Sequence, residues 1–511
     1  MGSILSSCCM RNSYPPAPFY PDPGRGRLLP GDQLKNMLTS KDFRGFKKVD
    51  DINKHYTFFN TLGQGSFGKV MKAEHMKASA DVAVKIIEKS KVREHKILEE
   101  LMQNELKVLE ETTHPHIMKI IQLLEDEDHY YIVSELLAGG ELYERIVKMK
   151  HFSEKNAAIL TYQILLAVSY MHNQNIVHRD IKPENILLEN EDVNNLNVKM
   201  TDFGFACFFD PAKGVSQTLG SPLYMAPEII QEKQYDQRVD IWSIGVIVYI
   251  LLSGRPPFRG KSKPEIFKSI LHHDLSFDHE IWDKISQDAK DFIRLALQKD
   301  HTRRANAKDL LDHAWIIKHI NNKQVTQEVQ LDVINNLREF RNAGKFQVGV
   351  LSFLVSMKTS SEELEELKQL FLQLDTSKDG TLSIEEIQQG INQLKGKLGN
   401  SRIDYKDMMA SMDQDGNGVV DYTEFITAAI DKVAILNKKN LISAFQSIDL
   451  DNNGSITIDE LKQCFDNAED KKDESLWQEL MNEVDKNNDN LISFDEFTEA
   501  MTEMLKKKHL K

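Results

Sequence analysis

Cysteine is scarce: Cys8, Cys9, Cys207 and Cys464 are the four in 511 residues. They fall in no metal-ligand spacing and no pairable framework, which excludes a disulfide scaffold and a zinc ribbon and fits a reducing compartment. Long apolar runs are lacking too. No stretch approaches the roughly 18 residues needed to span a bilayer, and the N-terminus does not read as a cleavable secretory leader. Excess positive charge is absent, the net charge being −14, so nucleic acid is not an expected partner. Proline is sparse except over residues 11–30, which hold six of the fourteen; that segment cannot bury a core and reads as an extended tether.

What the chain has in quantity is acid, unevenly placed. Residues 361–511 hold 32 Asp and Glu against 17 Lys and Arg, while the remainder holds 46 against 47. Acid-rich segments are either solvating or built to hold hard cations. At 41% hydrophobic and 28% charged the chain is globular, with room for three or four domains.

One stretch concentrates chemistry: His178-Arg179-Asp180-Ile181-Lys182-Pro183-Glu184-Asn185. Asp180 can accept a hydroxyl proton and aim the oxygen, Lys182 can neutralise a moving phosphoryl group, and Asn185 can hold a metal ion through its amide oxygen. Gly63-Gln64-Gly65-Ser66-Phe67-Gly68 precedes it, with glycines that let backbone amides close over phosphates. Val82-Ala83-Val84-Lys85 is an alternating strand ending in a lysine, and Thr201-Asp202-Phe203-Gly204 follows the central stretch. In this order the motifs resemble the protein kinases, and Lys182 followed by Pro-Glu-Asn resembles their serine/threonine branch.

The resemblance implies a bilobal kinase domain over residues 56–315, with ATP and Mg2+ as cofactors and protein substrates. Lys85 would bind the α- and β-phosphates and Asp202, with Asn185, the magnesium. Glu105 is the expected counter-charge for Lys85, by its place nine residues before His114-Pro115; Glu99 and Glu100 are alternatives on the same helix. Leu62, Gly63, Gly65, Gly68, Val70, Ala83 and Leu187 would enclose the nucleotide. Backbone groups of Glu135 and Leu137 would meet the adenine edge and Glu141 the ribose. Ser134, at the gatekeeper position, leaves room behind the base. Phe203 is expected beside His178 and Leu109, Glu228 is expected to pair with Arg304, and the helix beginning near Asp240 to brace the catalytic loop. Ser221, where many relatives carry threonine, is expected to change little. Glu141 and Glu184 would favour a basic residue upstream of the target hydroxyl. Ser216 and Thr218 are candidate phosphorylation sites in the activation segment.

Residues 316–360 form a junction. Val333, Ile334, Leu337 and Phe340 recur three and four apart, the spacing of an amphipathic helix, with Arg338, Arg341 and Lys345 among them. A second apolar run spans Val348–Met357, weakened as a continuous helix by Gly344 and Gly349. A basic amphipathic helix of this kind suits a calcium-sensor groove; it could also lie across the kinase cleft or pack permanently on the large lobe.

In residues 361–508 one pattern occurs four times, starting at Asp375, Asp413, Asp449 and Asp485, intervals of 38, 36 and 36. Oxygen donors stand at places 1, 3, 5, 7 and 12 of a twelve-residue loop, the ring that suits calcium. They are Asp375, Ser377, Asp379, Thr381 and Glu386; Asp413, Asp415, Asn417, Val419 and Glu424; Asp449, Asp451, Asn453, Ser455 and Glu460; and Asp485, Asn487, Asp489, Leu491 and Glu496. The residue at place 7 contributes its backbone carbonyl. Leu382, Val420, Ile456 and Ile492 at place 8 would pair the loops through short strands. Asn490 replaces the turn glycine in the fourth loop and tolerates left-handed backbone, so a working but weaker site is expected there.

Kinase, junction and four loops in one chain resemble the calcium-dependent protein kinases. The expected fold is α+β: a bilobal kinase followed by an all-α, calmodulin-like domain of two EF-hand pairs. In that family the junction blocks the enzyme at resting calcium, and the calcium-loaded tail seizes the junction and frees the cleft. Two other classes stay open: a calcium sensor whose kinase lobes only scaffold, and a constitutive kinase with a calcium-stabilised tail. The N-terminal 1–55 tether carries Met1-Gly2-Ser3-Ile4-Leu5-Ser6, which fits N-myristoylation at Gly2, with Cys8 and Cys9 available for palmitate. Two acyl chains make a stable anchor where one is marginal. A cytoplasmic, membrane-associated monomer is therefore expected.

Overall fold

The computed structural model describes residues 46–64, 68–93, 96–320, 325–341, 343–357, 362–393, 404–465 and 474–506. Gly2, Cys8, Cys9 and Gly65 lie outside them. No helix among the described residues is long and apolar enough to cross a membrane.

A small lobe is built on a six-stranded sheet, ordered β1-β5-β6-β4-β3-β2, from β1 (Phe46–Lys48), β2 (Tyr56–Gln64), β3 (Gly68–His75), β4 (Ala80–Glu88), β5 (Ile120–Glu125) and β6 (His129–Glu135). The period-two alternation decides which side chains face where. Ile87, Leu123 and Ile132 turn inward to helix α1 (Lys96–Glu111) and the large-lobe core, whereas Val82, Val84, Ile121 and Val133 turn outward. The outward face does not meet solvent; its apolar cluster continues into the junction and tail.

Strand β1 corrects the expectation of a tether reaching residue 55. Phe46–Lys48 pair in parallel with Leu123–Glu125, and Val49 N–H donates to Glu125 O at 2.9 Å. An open edge at β5 would leave backbone donors and acceptors unpaired, and this segment satisfies them.

The large lobe is helical. Helices α2 (Leu142–Met149), α3 (Glu154–Asn173) and α4 (Arg238–Ser253) surround the catalytic loop. Helix α3 starts at Ser153, whose side chain caps Asn156 N, and α4 ends at Gly254 with φ +70°. Glu228 and Arg304 form the expected bidentate pair at 2.6 and 3.0 Å, both buried. The lobe's last helix runs Ala314–His319, past the boundary expected at 315.

The junction is two helices, α5 (Gln327–Phe340) and α6 (Lys345–Met357). Helix α6 starts just after Gly344, and Gly349, expected to weaken the second run, does not interrupt it: full burial of the helix outweighs a local penalty of about 1 kcal/mol. The apolar stripe of α5 is 1–4% exposed at Val333, Ile334, Leu337 and Phe340. It packs against Leu370, Met412 and Phe425 of the first EF-hand pair. Helix α6 is held by the second pair: Phe346 meets Phe497 edge-on at 5.8 Å, Lys345 Nζ lies 2.9 Å from Glu479, and Gln347 Nε2 donates to Ala500 O at 2.6 Å. The junction is thus enclosed by the tail rather than laid across the kinase cleft.

Because Glu228→Ala leaves the Arg304 guanidinium buried with its carboxylate gone, it is expected to lower stability by about 3–5 kcal/mol, read as a shift in the urea midpoint of the kinase transition.

Candidate active site and calcium loops

Helix α4 buries Asp240 completely, and its carboxylate gathers the catalytic loop: His178 N–H donates to Oδ2 at 3.0 Å, Arg179 N–H to Oδ1 at 2.9 Å, and His172 Nε2 lies 3.0 Å from Oδ2. Burial works against this carboxylate, but the His172 and His178 bonds outweigh it and hold its pKa below the ordinary aspartate value. The grip fixes Arg179 at φ +68°, a left-handed conformation rare for a side-chain-bearing residue, and turns Asp180 into the cleft.

Around Asp180 the polar groups converge. Lys182 Nζ lies 2.6 Å from Oδ2, Ser221 Oγ donates to Oδ1 at 2.7 Å, and Asn185 Nδ2 donates to the Asp180 carbonyl at 2.9 Å. Lys182 also reaches Ser221 Oγ at 3.1 Å. The Ser221 hydroxyl, which a threonine would also supply, links the acid and the cation of the catalytic loop. The available signal was its fixed place five residues before Ala226-Pro227-Glu228. Arg179 also ties the activation segment down, donating from Nη1 to Gln217 Oε1 at 2.8 Å.

In the small lobe Lys85 pairs with Glu105 at 2.5 Å, settling the choice among three glutamates, and lies 3.8 Å from Asp202. Burial pulls the Lys85 ammonium down, but Glu105 and Asp202 outweigh it, so its pKa stands above the ordinary lysine value. The site therefore holds a fixed cation between the sheet and α1, with Asp202 at φ +58° beside it. Phe203 packs against His178, ring centroids 5.0 Å apart, and both rings are fully buried.

The residues expected to enclose the nucleotide lie on the small-lobe strands and on the segment after the catalytic loop. Leu62 is exposed at the tip of β2, Gly63 pairs with Val70 across the turn, Ala83 is buried, and Leu187 bridges Glu141. A side chain at Gly68 would meet Ile86 O at 1.9 Å, so only glycine lets β3 lie this close to β4. The Glu135 side chain accepts from Lys199 Nζ at 2.7 and 2.8 Å, and its N–H donates to Lys119 O at 3.0 Å. Ser134 is buried and small, with Oγ donating to Ala83 O at 3.4 Å. Glu141 stands at the mouth, where burial and the neighbouring Glu144 and Glu184 raise its pKa while Lys182 pulls it back.

The four loops share one closure. The first aspartate accepts from the N–H at place 6 in each: Gly380 at 2.9 Å, Gly418 at 2.9 Å, Gly454 at 3.0 Å and Asn490 at 2.9 Å. Asn490 adopts φ +61°, matching the glycines it replaces. Leu382 bridges Val420, and Ser455–Ile456 pair with Ile492–Ser493, so the loops couple two by two as expected. The carboxylates of Asp413, Asp415 and Glu424, and of Asp449, Asp451 and Glu460, each bring oxygens within 4.8 Å of one another. Burial, with nearby carboxylates, pushes Asp375 and Asp413 up to about 6 and Glu424 well above the ordinary value. Crowded carboxylates of this kind are the donor set that calcium relieves.

Residues 56–316 match the protein kinase domain, and residues 364–430 and 438–502 match the EF-hand domain pair. Calcium-dependent protein kinase 4 of Plasmodium falciparum is 36% identical over 470 residues, covering 89% of this chain and 87% of that protein. The chain belongs to the calcium-dependent protein kinases. Calcium-dependent protein kinase 2 of Zea mays is 34% identical, covering 89% of this chain and 87% of its own, and calcium-dependent protein kinase 21 of Arabidopsis thaliana is 35% identical, covering 89% and 84%. This calcium-dependent protein kinase is accordingly a calcium-activated serine/threonine kinase using ATP and Mg2+. That excludes the reading of the lobes as a bare scaffold.

Two substitutions probe the catalytic cluster. Asp180→Asn is expected to lower kcat by about 10²–10⁴-fold with little change in the KM for ATP. Ser221→Ala, which removes a link rather than a reacting group, is expected to lower kcat by about 10–100-fold, the order of a hydrogen bond to a charged group. Initial rates of labelled phosphate transfer to a peptide measure both.

Proposed function

We propose that this kinase phosphorylates protein serine or threonine residues preceded by a basic residue, and that calcium frees its cleft by making the tail enclose the junction. The observation carrying the second part is the burial of α5 and α6 within the two EF-hand pairs, which leaves the catalytic face uncovered by the junction. At resting calcium the same amphipathic helix is released from the tail and blocks the kinase. Burying four apolar side chains on α5 is worth about 1.5–3 kcal/mol each. Conversion from mostly off to mostly on requires a bias of about 5.5 kcal/mol between the two arrangements.

In the proposed assignment Asp180 takes the proton from the incoming hydroxyl and orients its oxygen, Lys182 faces the transferred group, and Lys85, held by Glu105, binds the α- and β-phosphates. Magnesium, when bound, would supply charge neutralisation to the leaving phosphates, and Asp202 and Asn185 are the residues that would hold it. Leu62, Gly63, Gly68, Val70, Ala83 and Leu187 enclose the base and phosphates. Glu141 and Glu184 receive the substrate's basic side chain; burial, then Glu144 and Glu184, raise the Glu141 pKa, and a cation there would relieve it. The proposal extends to acylation at Gly2, with Cys8 and Cys9, holding a cytoplasmic monomer at the membrane surface.

Peptide phosphorylation across a calcium titration tests the regulation. Activity of the full chain is expected to rise steeply with calcium, while a chain ending near residue 320 is expected to ignore it; equal calcium dependence of the two, or none in either, defeats the proposal. For substrate choice, Glu184→Lys is expected to raise the KM of an arginine-containing peptide about tenfold and leave that of a peptide lacking the arginine unchanged.

A further inference from the structure

The four calcium loops share their internal geometry but not their surroundings. The turns of the second, third and fourth loops stand in solvent: Gly416–Gly418, Asp451–Gly454 and Lys486–Leu491 are exposed. The first loop's turn is covered, with Gly380 and Thr381 buried. What covers it is the kinase. A Cβ built at Gly380 would lie 2.6 Å from the Tyr170 ring, whereas at Gly418 and Gly454 it would meet nothing within 4 Å. Tyr170 belongs to the C-terminal end of α3 and is 2% exposed.

Lys378 adds directional contacts. It occupies place 4 of the loop, which supplies no metal ligand, and stands at φ +59°. Its carbonyl accepts from Ser169 Oγ at 2.8 Å, and its Nζ lies 2.7 Å from Asp312 Oδ1 of the large lobe. The first loop is thus clamped on both sides of its ligand-bearing turn, at Lys378 and at Gly380, by residues of the kinase.

We infer that the first calcium site is a composite of the two domains, with Ser169, Tyr170 and Asp312 of the kinase as positioning residues for its ligands Ser377, Asp379 and Thr381. The inference rests on the reading of these loops as calcium sites and goes beyond it. The kinase holds the turn in its ring-forming shape, so calcium binds the first loop more tightly when the tail is docked. By reciprocity, calcium at that loop strengthens docking by the same factor. The fourth loop, whose turn is exposed, carries no such coupling.

The experiment is direct calcium titration of the full chain by calorimetry. Glu→Gln substitutions at 424, 460 and 496 leave only the first loop competent; a second background, substituted at 386, 424 and 460, leaves only the fourth. Asp312→Lys, in the half-exposed partner of Lys378 and outside the catalytic machinery, is expected to weaken calcium at the first loop about fivefold, the order of a lost surface ion pair made repulsive, and to leave the fourth loop unchanged. Ser169→Ala is expected to act in the same direction, by about threefold, and stands in if the charge reversal lowers the melting temperature of the calcium-free protein. First-loop affinity within twofold of the parent in both variants overturns the inference, as does an equal loss at the fourth loop. Absence of calcium binding to the parent background would instead overturn the reading of the first loop as a calcium site, whatever the calcium dependence of phosphate transfer.

Discussion

The arrangement depends on where the apolar faces of the junction are buried. Helices α5 and α6 carry more hydrophobic surface than a solvated connector can expose, including Val333, Leu337, Phe340 and Phe346, each 4% exposed or less. Residues of both EF-hand pairs share one apolar cluster with these helices. Once they close, the tail cannot drift: Lys119 Nζ donates to Val355 O at 2.7 Å, Thr113 meets Thr423 at 2.6 Å, and Lys368 pairs with Glu189 at 3.0 Å, all across the kinase boundary. The outward face of the small-lobe sheet joins the same apolar cluster. Enclosing the junction and bracing the small lobe are therefore one packing event.

The catalytic centre is independent of that event in its local chemistry. Asp240 organises His178 and Arg179 from within the large lobe, and Glu105 holds Lys85 from within the small one. What the tail can alter is the relation between the lobes, since Lys77, in the turn after β3, donates to Asp449 O at 2.8 Å and the large lobe is met by the first loop. A regulator that touches both lobes can govern rate without specifying chemistry, which suits a switch driven by an ion.

Much of this was legible in the residues because the relevant signals are local. Phosphate-closing glycines, the acid–cation–amide run of the catalytic loop and the twelve-residue rings each need a few positions at fixed spacing, and backbone geometry enforces that spacing wherever the segment lies. Asn490 was readable for the same reason: its left-handed tolerance is a property of one residue. The contacts of Ser221 are not legible in the sequence because its partners, Asp180 and Lys182, are 41 and 39 residues away. Residues 46–48 carry too little pattern to announce a strand whose partner is β5.

By itself, then, the sequence determined the reaction, the ions and the helical character of the junction, since each follows from donor type, spacing or period. It left open which of three glutamates faces Lys85, which of three surfaces covers the junction, and whether the four loops are equivalent. Those were decided by tertiary structure, because each is a competition among segments far apart in the chain for one buried contact. Gly380 shows the difference: its sequence neighbours make it a loop glycine like Gly418 and Gly454, and only the Tyr170 ring packed against it makes its surroundings unlike theirs.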